Sequence, residues 1–134
     1  KGKKETNADS LFFSRIIDGD FFAQEHSEEQ DYILVIRHCL SHTDETYDET
    51  LSEGLSRMLR KYPQKIEGLR KALKRLSPRQ KEKANYEMMV LIVSAWMMEQ
   101  DSDSIDPKDF YHTYPFFKKC SMIDKILMEQ CNNL

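Results

Sequence analysis

Apolar residues recur along this chain at the three- and four-residue steps of a helix, and no stretch alternates them with polar residues as a half-buried strand would. The plainest run is 46–62, where Leu51, Leu55, Met58, Leu59 and Tyr62 fall on one stripe and mostly polar residues fill the rest. Gly54 lies beside that stripe, where it either admits a close neighbour or simply costs about 1 kcal/mol against alanine. "NADSLFFSRIID" predicts a first helix, capped by Asn7 or Asp9 and stopped near Gly19. Ser27-Glu28-Glu29-Gln30 has the form of a capping box: the serine hydroxyl takes one free amide of the first turn and the glutamine reaches back to another. It opens a helix through "DYILVIRHCLSH".

Four dipeptides, Tyr62-Pro63, Ser77-Pro78, Asp106-Pro107 and Tyr114-Pro115, each put a proline in a first turn, where its missing N–H is not needed. They predict a helix from Pro63 with Ile66, Leu69, Ala72, Leu73 and Leu76 inside, a long one from Pro78 to about Gln100, and a short one after Pro107. A last helix is predicted from Pro115, with Phe116, Phe117, Cys120, Ile123, Ile126 and Leu127 facing inward. Between Tyr86 and Met98 the long helix is apolar on nearly every side, which marks it as the central one. With 134 residues and only four Gly and four Pro, the chain reads as all-α: one domain over 1–134, a single compact bundle or short solenoid-like stack of about six or seven helices. The polar start, 1–8, reads as a flexible N-terminal tether.

Charge changes this picture more than composition does. The net charge is −3, yet six acids and no Lys or Arg lie between Asp18 and Asp31, and five acids and no Lys or Arg between Asp44 and Glu53. From Arg57 to Lys83 eleven bases stand against Glu67 and Glu82. Such asymmetry points to an acidic partner unless the fold neutralises it internally. The candidate binding residues are Arg57, Arg60, Lys61, Lys65, Arg70, Lys71, Lys74 and Arg75, the last five placed on the outer side of the Pro63 helix. The expected partner is a protein with an acidic surface. A nucleic acid bound by 57–83 is the alternative, weakened by the lack of interleaved aromatics for base stacking and of a clear helix-turn-helix.

His38 and His42, four residues apart, share a ridge from which both could reach one metal. The residues between them are Cys39, Leu40 and Ser41, so the glutamate of a metalloprotease helix is missing, and a third ligand would have to come from Asp44, Glu45 or His112. Boundary histidines on an ordinary helix are the favoured reading, and a metal-dependent enzyme the weakest. Cys39, on the apolar face, makes a poor catalytic thiol. Cys39, Cys120 and Cys131 are either three small buried residues or include one disulfide through Cys39. Cys120 and Cys131 would lie about 16 Å apart along a continuous helix, too far to pair with each other. "DSDSIDPKD" imitates a calcium loop at Asp101 and Asp103 but puts Ile105, Asp106 and His112 where a ligand, a glycine and a glutamate belong.

Phe12-Phe13, Phe21-Phe22 and Phe116-Phe117 read as core pairs, or as a source of one exposed interface anchor, and the seven methionines as adaptable core filling. Glycine-rich phosphate loops and nucleophile elbows are absent, so neither an enzyme nor a cofactor is implied. The longest apolar stretch, 86–98, is interrupted by Glu87 and Ser94 and falls short of the roughly 20 residues that cross a bilayer. A start at Lys1 followed by a polar stretch fits a chain relieved of an export or lipoprotein signal, and extracytoplasmic and cytoplasmic origins both stay open. The expectation is a non-enzymatic interaction module working through a charged helical surface.

Overall fold

A computed structural model describes residues 7–41, 45–101 and 103–132. Seven α-helices occur among them: α1 (Asn7–Phe12), α2 (Glu29–Ser41), α3 (Asp48–Lys61), α4 (Ile66–Leu73), α5 (Pro78–Met98), α6 (Pro107–Thr113) and α7 (Ser121–Asn132), with no strand among the described residues. Asn7 and Ala8, at the end of the stretch read as a tether, already belong to α1. That helix widens into a π turn at Phe13–Ile17, closed by Asp18 N–H donating to Phe13 O at 2.8 Å, and the chain leaves it at Asp18.

The central helix is α5, as its all-round apolarity requires: α2, α3, α4 and α7 all pack on it, and Met88, Ile92, Val93 and Trp96 are buried. The stripe Leu51, Leu55, Met58 and Leu59 is buried completely. Two serines on the same helix let α3 lie close to its neighbours. The Ser52 hydroxyl donates to the carbonyl of Leu91, and Ser56 Oγ lies 2.5 Å from the Tyr114 hydroxyl, which also donates to Ser56 O at 3.0 Å. The Ser52–Leu91 and Arg60–Glu99 contacts share one offset along the two helices, so α3 and α5 run parallel. On the far side α2 packs between α4 and α5, and α1 packs on α2.

The start signals resolve differently. Ser77 accepts from Gln80 N–H at 3.4 Å and Asp106 from Lys108 N–H at 3.0 Å, so both residues cap their helices, each with proline in the first turn. Tyr62-Pro63 and Tyr114-Pro115 adopt one conformation, φ −128 and −126 at the tyrosines, and each opens a 3-10 turn. After Pro63 the turn runs straight into α4. After Pro115 it does not: Lys118 is extended, Lys119 takes φ 68, and the last helix begins at Ser121, six residues later than predicted. The break lets Phe117 be fully buried and Phe116 pack beside it before the chain turns outward. At the capping box the prediction also fails: α2 begins only at Glu29, and the Ser27 hydroxyl accepts from Lys65 Nζ at 2.8 Å instead of from the amide of Gln30.

Two glycines are fixed by aromatic rings that lie on them. A Cβ at Gly54 would stand 2.6 Å from the Phe22 ring, and one at Gly68 only 2.3 Å from Tyr32 Cζ. The close neighbour that Gly54 admits is therefore a ring from the α1–α2 connection. Tyr32 cannot swing aside freely, since its ring meets Phe21 edge-on at 5.4 Å and is buried. Gly68→Ala is expected to destabilise the protein by about 1–2 kcal/mol in urea unfolding, because overpacking outweighs the gain of about 1 kcal/mol in helix propensity. A neutral or stabilised variant would mean that the Tyr32 ring has somewhere to go.

Candidate functional site

The His–Cys stretch lies in the last turns of α2. His38 sits at the edge of the apolar face, its side chain 12% exposed, with Nε2 3.1 Å from Asp48 Oδ1 and its ring stacked on Phe12 at 4.3 Å. It thus ties α2 to α1 and α3. His42 and Asp44 lie outside the described residues, and among the described residues no three His, Cys, Asp or Glu side chains come together to hold a metal. Cys39 is fully buried, and burial, with Asp48 and Glu87 nearby, pushes its thiol up to about 12. A thiol so protonated and enclosed is chemically inert. Cys39, Cys120 and Cys131 are all free thiols, the last two half-buried.

The eight basic residues singled out from the sequence do not form one face. Lys65, expected on the outside, is 2% exposed and is the main correction. Its Nζ donates to the carbonyls of Phe21 and Gln24 and to the Ser27 hydroxyl, and it lies 4.5 Å from the centre of the Phe21 ring. Burial pulls its ammonium down to about 8, against an opposing pull from Asp31. The amine pins the α1–α2 connection to the start of α4 and is sealed from any partner.

Three of the remaining seven are matched within the fold. Arg60 makes a two-pronged bond to Glu99 at 2.7 and 2.8 Å, Arg70 bonds to Glu67 at 2.7 Å and to the carbonyl of Phe116, and Arg75 pairs with Glu29. Lys61 lies over the Tyr62 ring at 5.3 Å. Lys71 on α4 and Lys74 just past its end are exposed, and Arg57 faces a different groove, between α3 and α5. The acidic run beside α2 is in turn held by Arg15, whose guanidinium bonds to Asp31 and to Glu28. Part of the charge asymmetry read from the sequence is thus consumed internally.

The cations that do converge are elsewhere. A groove of about 610 Å³ lies between the first turns of α5 and α7, lined by Arg79, Lys83 and Lys125 with Tyr86, Ser121 and Met122. Glu82 is the one acid among its lining residues. Arg79 and Lys83, one turn apart on α5, are exposed and take part in no ion pair among the described residues. Lys125 reaches Glu129 only at 4.0 Å, and the Tyr86 hydroxyl reaches the same carboxylate at 3.5 Å. Asn85 fixes the floor by donating to the Met122 sulfur at 3.6 Å. Arg79 and Lys83 belong to the basic segment, but Lys125 carries no signal of its own: it is one lysine in a mixed helix, and only the packing of α7 on α5 brings it to them.

No helix among the described residues is long and apolar enough to cross a membrane. The chain matches no protein-family model, no curated protein and no solved structure.

Proposed function

We propose that this chain is a non-enzymatic helical interaction module that holds an acidic segment of a partner protein in the cationic groove between α5 and α7. The observation that carries the reading is the convergence of Arg79, Lys83 and Lys125 on one concave site beside Tyr86 and Met122, while Arg60, Arg70 and Arg75 are answered by carboxylates of the same chain. Three cations around an aromatic ring and a thioether suit a peptide that alternates carboxylates with an apolar anchor, and the volume admits a few side chains rather than a flat surface.

The test is a fluorescent peptide of about twelve residues rich in Asp and Glu with one central Phe, titrated at low and moderate salt. Binding that weakens with salt, and falls at least about tenfold in Arg79→Glu/Lys83→Glu/Lys125→Glu with thermal stability unchanged, is the expected result. Binding untouched by that triple reversal would end this reading. Tighter binding of a single-stranded oligonucleotide than of the peptide would replace it with the nucleic-acid alternative.

A further inference from the structure

A second groove, of about 380 Å³, runs between α3 and the C-terminal half of α5 and has the opposite character. Its floor is Leu91 and Ala95, flanked by the small side chains of Ser52 and Ser94, and the exposed Met98 stands at its far end. The Ser52 hydroxyl is already used on the Leu91 carbonyl, so the floor does not depend on water to satisfy it. Met98 is 82% exposed, the most exposed of the large apolar side chains among the described residues, and a thioether in that position adapts to whatever is laid on it.

The rim is written in a definite order. Glu49, Glu53 and Arg57 follow one another at successive turns of α3, all exposed and none in an ion pair among the described residues. Of the other two carboxylates that line the groove, Asp48 is engaged by His38 and Glu99, on the opposite rim, by Arg60. Because α3 and α5 are parallel, the two free carboxylates flank the Leu91 end of the floor and Arg57 flanks the Met98 end. A groove between two parallel helices, apolar below and charged along one edge, has the shape that an amphipathic helix fills.

We infer that this groove docks a partner's amphipathic helix that sets an apolar stripe on Leu91, Ala95 and Met98 and presents two basic residues to Glu49 and Glu53 and an acidic one to Arg57. Charge complementarity fixes the chemistry of the occupant: base, base, acid at successive turns. This surface is separate from the cationic groove and does not depend on it.

Two synthetic helical peptides test the inference, identical in their leucine stripe but carrying Lys, Lys, Glu or the inverted Glu, Glu, Lys along one edge. The full chain, labelled at methionine methyl groups, is titrated with each. The first peptide is expected to bind at least about tenfold more tightly than the second and to shift the Met98 methyl signal. A Glu49→Lys/Glu53→Lys/Arg57→Glu protein is expected to reverse that preference, while Arg79→Glu/Lys83→Glu/Lys125→Glu leaves it unchanged. No binding of the first peptide, equal binding of both, or a shift confined to Met122 would each overturn the inference. The reversed preference excludes mere attraction of a cationic peptide to an acidic protein.

Discussion

Lys65→Met is expected to lower the unfolding free energy by about 2 kcal/mol at pH 7, and by more at pH 10. The substitution leaves the buried carbonyl of Phe21 and the part-buried one of Gln24 without their donor, and an acceptor orphaned in the interior costs about 1–3 kcal/mol. At pH 7 part of that loss is returned, because the variant no longer buries a charge. The sign of the pH dependence follows from the lowered value. Between about 8 and the ordinary 10.5 the folded protein has released the Lys65 proton while the unfolded chain still holds it, so stability rises with pH across that window. Below 8 the fold bears the full cost of the buried ammonium.

The site is built for either form. As an ammonium, Lys65 gives its three protons to two carbonyls and the Ser27 oxygen. As an amine it keeps two protons for the carbonyls, and its lone pair takes a bond from the Ser27 hydroxyl once that hydroxyl gives up its bond to Tyr32. Urea unfolding of wild type and Lys65→Met at pH 7, 8.5 and 10 measures the difference directly, and groups titrating elsewhere, Cys39 among them, largely cancel in it. A variant more stable than wild type at pH 7 would show that the charge costs more than its bonds return. Lys65 would then be a residue kept at the expense of stability, and the connection it pins would become the place to look for function.

Lys65 also shows where the sequence stops being legible. The stripe of α3, the prolines that open α4, α5 and α6, the Ser77 and Asp106 caps and the central place of α5 are all local consequences of residue order, and all are present in the fold. What local order does not carry is which surface a distant segment covers. Lys65 sits in a basic run and looks like its neighbours, but the turn at Phe21–Gln24, some forty residues earlier, closes over it and takes its charge out of the binding face. The same limit works in reverse for Lys125, unremarkable in α7 until α5 supplies Arg79 and Lys83. Ser27 satisfied the capping pattern and was claimed by a long-range bond instead. The start of α7 moved for a related reason: proline permits a helix at Pro115, but burying Phe117 beside Phe110 requires the chain to break before Ser121.

Phe110→Ala is expected to cost about 4 kcal/mol, the largest single loss considered for this chain. Phe110 is fully buried and is the hub on which the last quarter of the fold closes. Its ring meets Trp96 of α5 edge-on at 5.4 Å, lies 4.9 Å from Tyr114 and stacks on Phe117 at 6.0 Å. A helix of seven residues has no stability of its own, so α6 exists because these rings hold it. Removing the hub leaves a cavity that Tyr114 cannot enter without giving up its bonds to Ser56. Trp96 is the one tryptophan and touches the ring directly, so its fluorescence reports on this cluster while far-ultraviolet dichroism reports on the helices as a whole. Coincident transitions, both shifted to lower urea, would mean that α6 and α7 unfold together with the body of α2–α5. A fluorescence transition that precedes the loss of helicity would mean that the aromatic cluster is the seam between two cooperative units. In that case the cationic groove, whose walls come one from each side of the seam, would open and close with it, and the binding of an acidic segment would stabilise the junction.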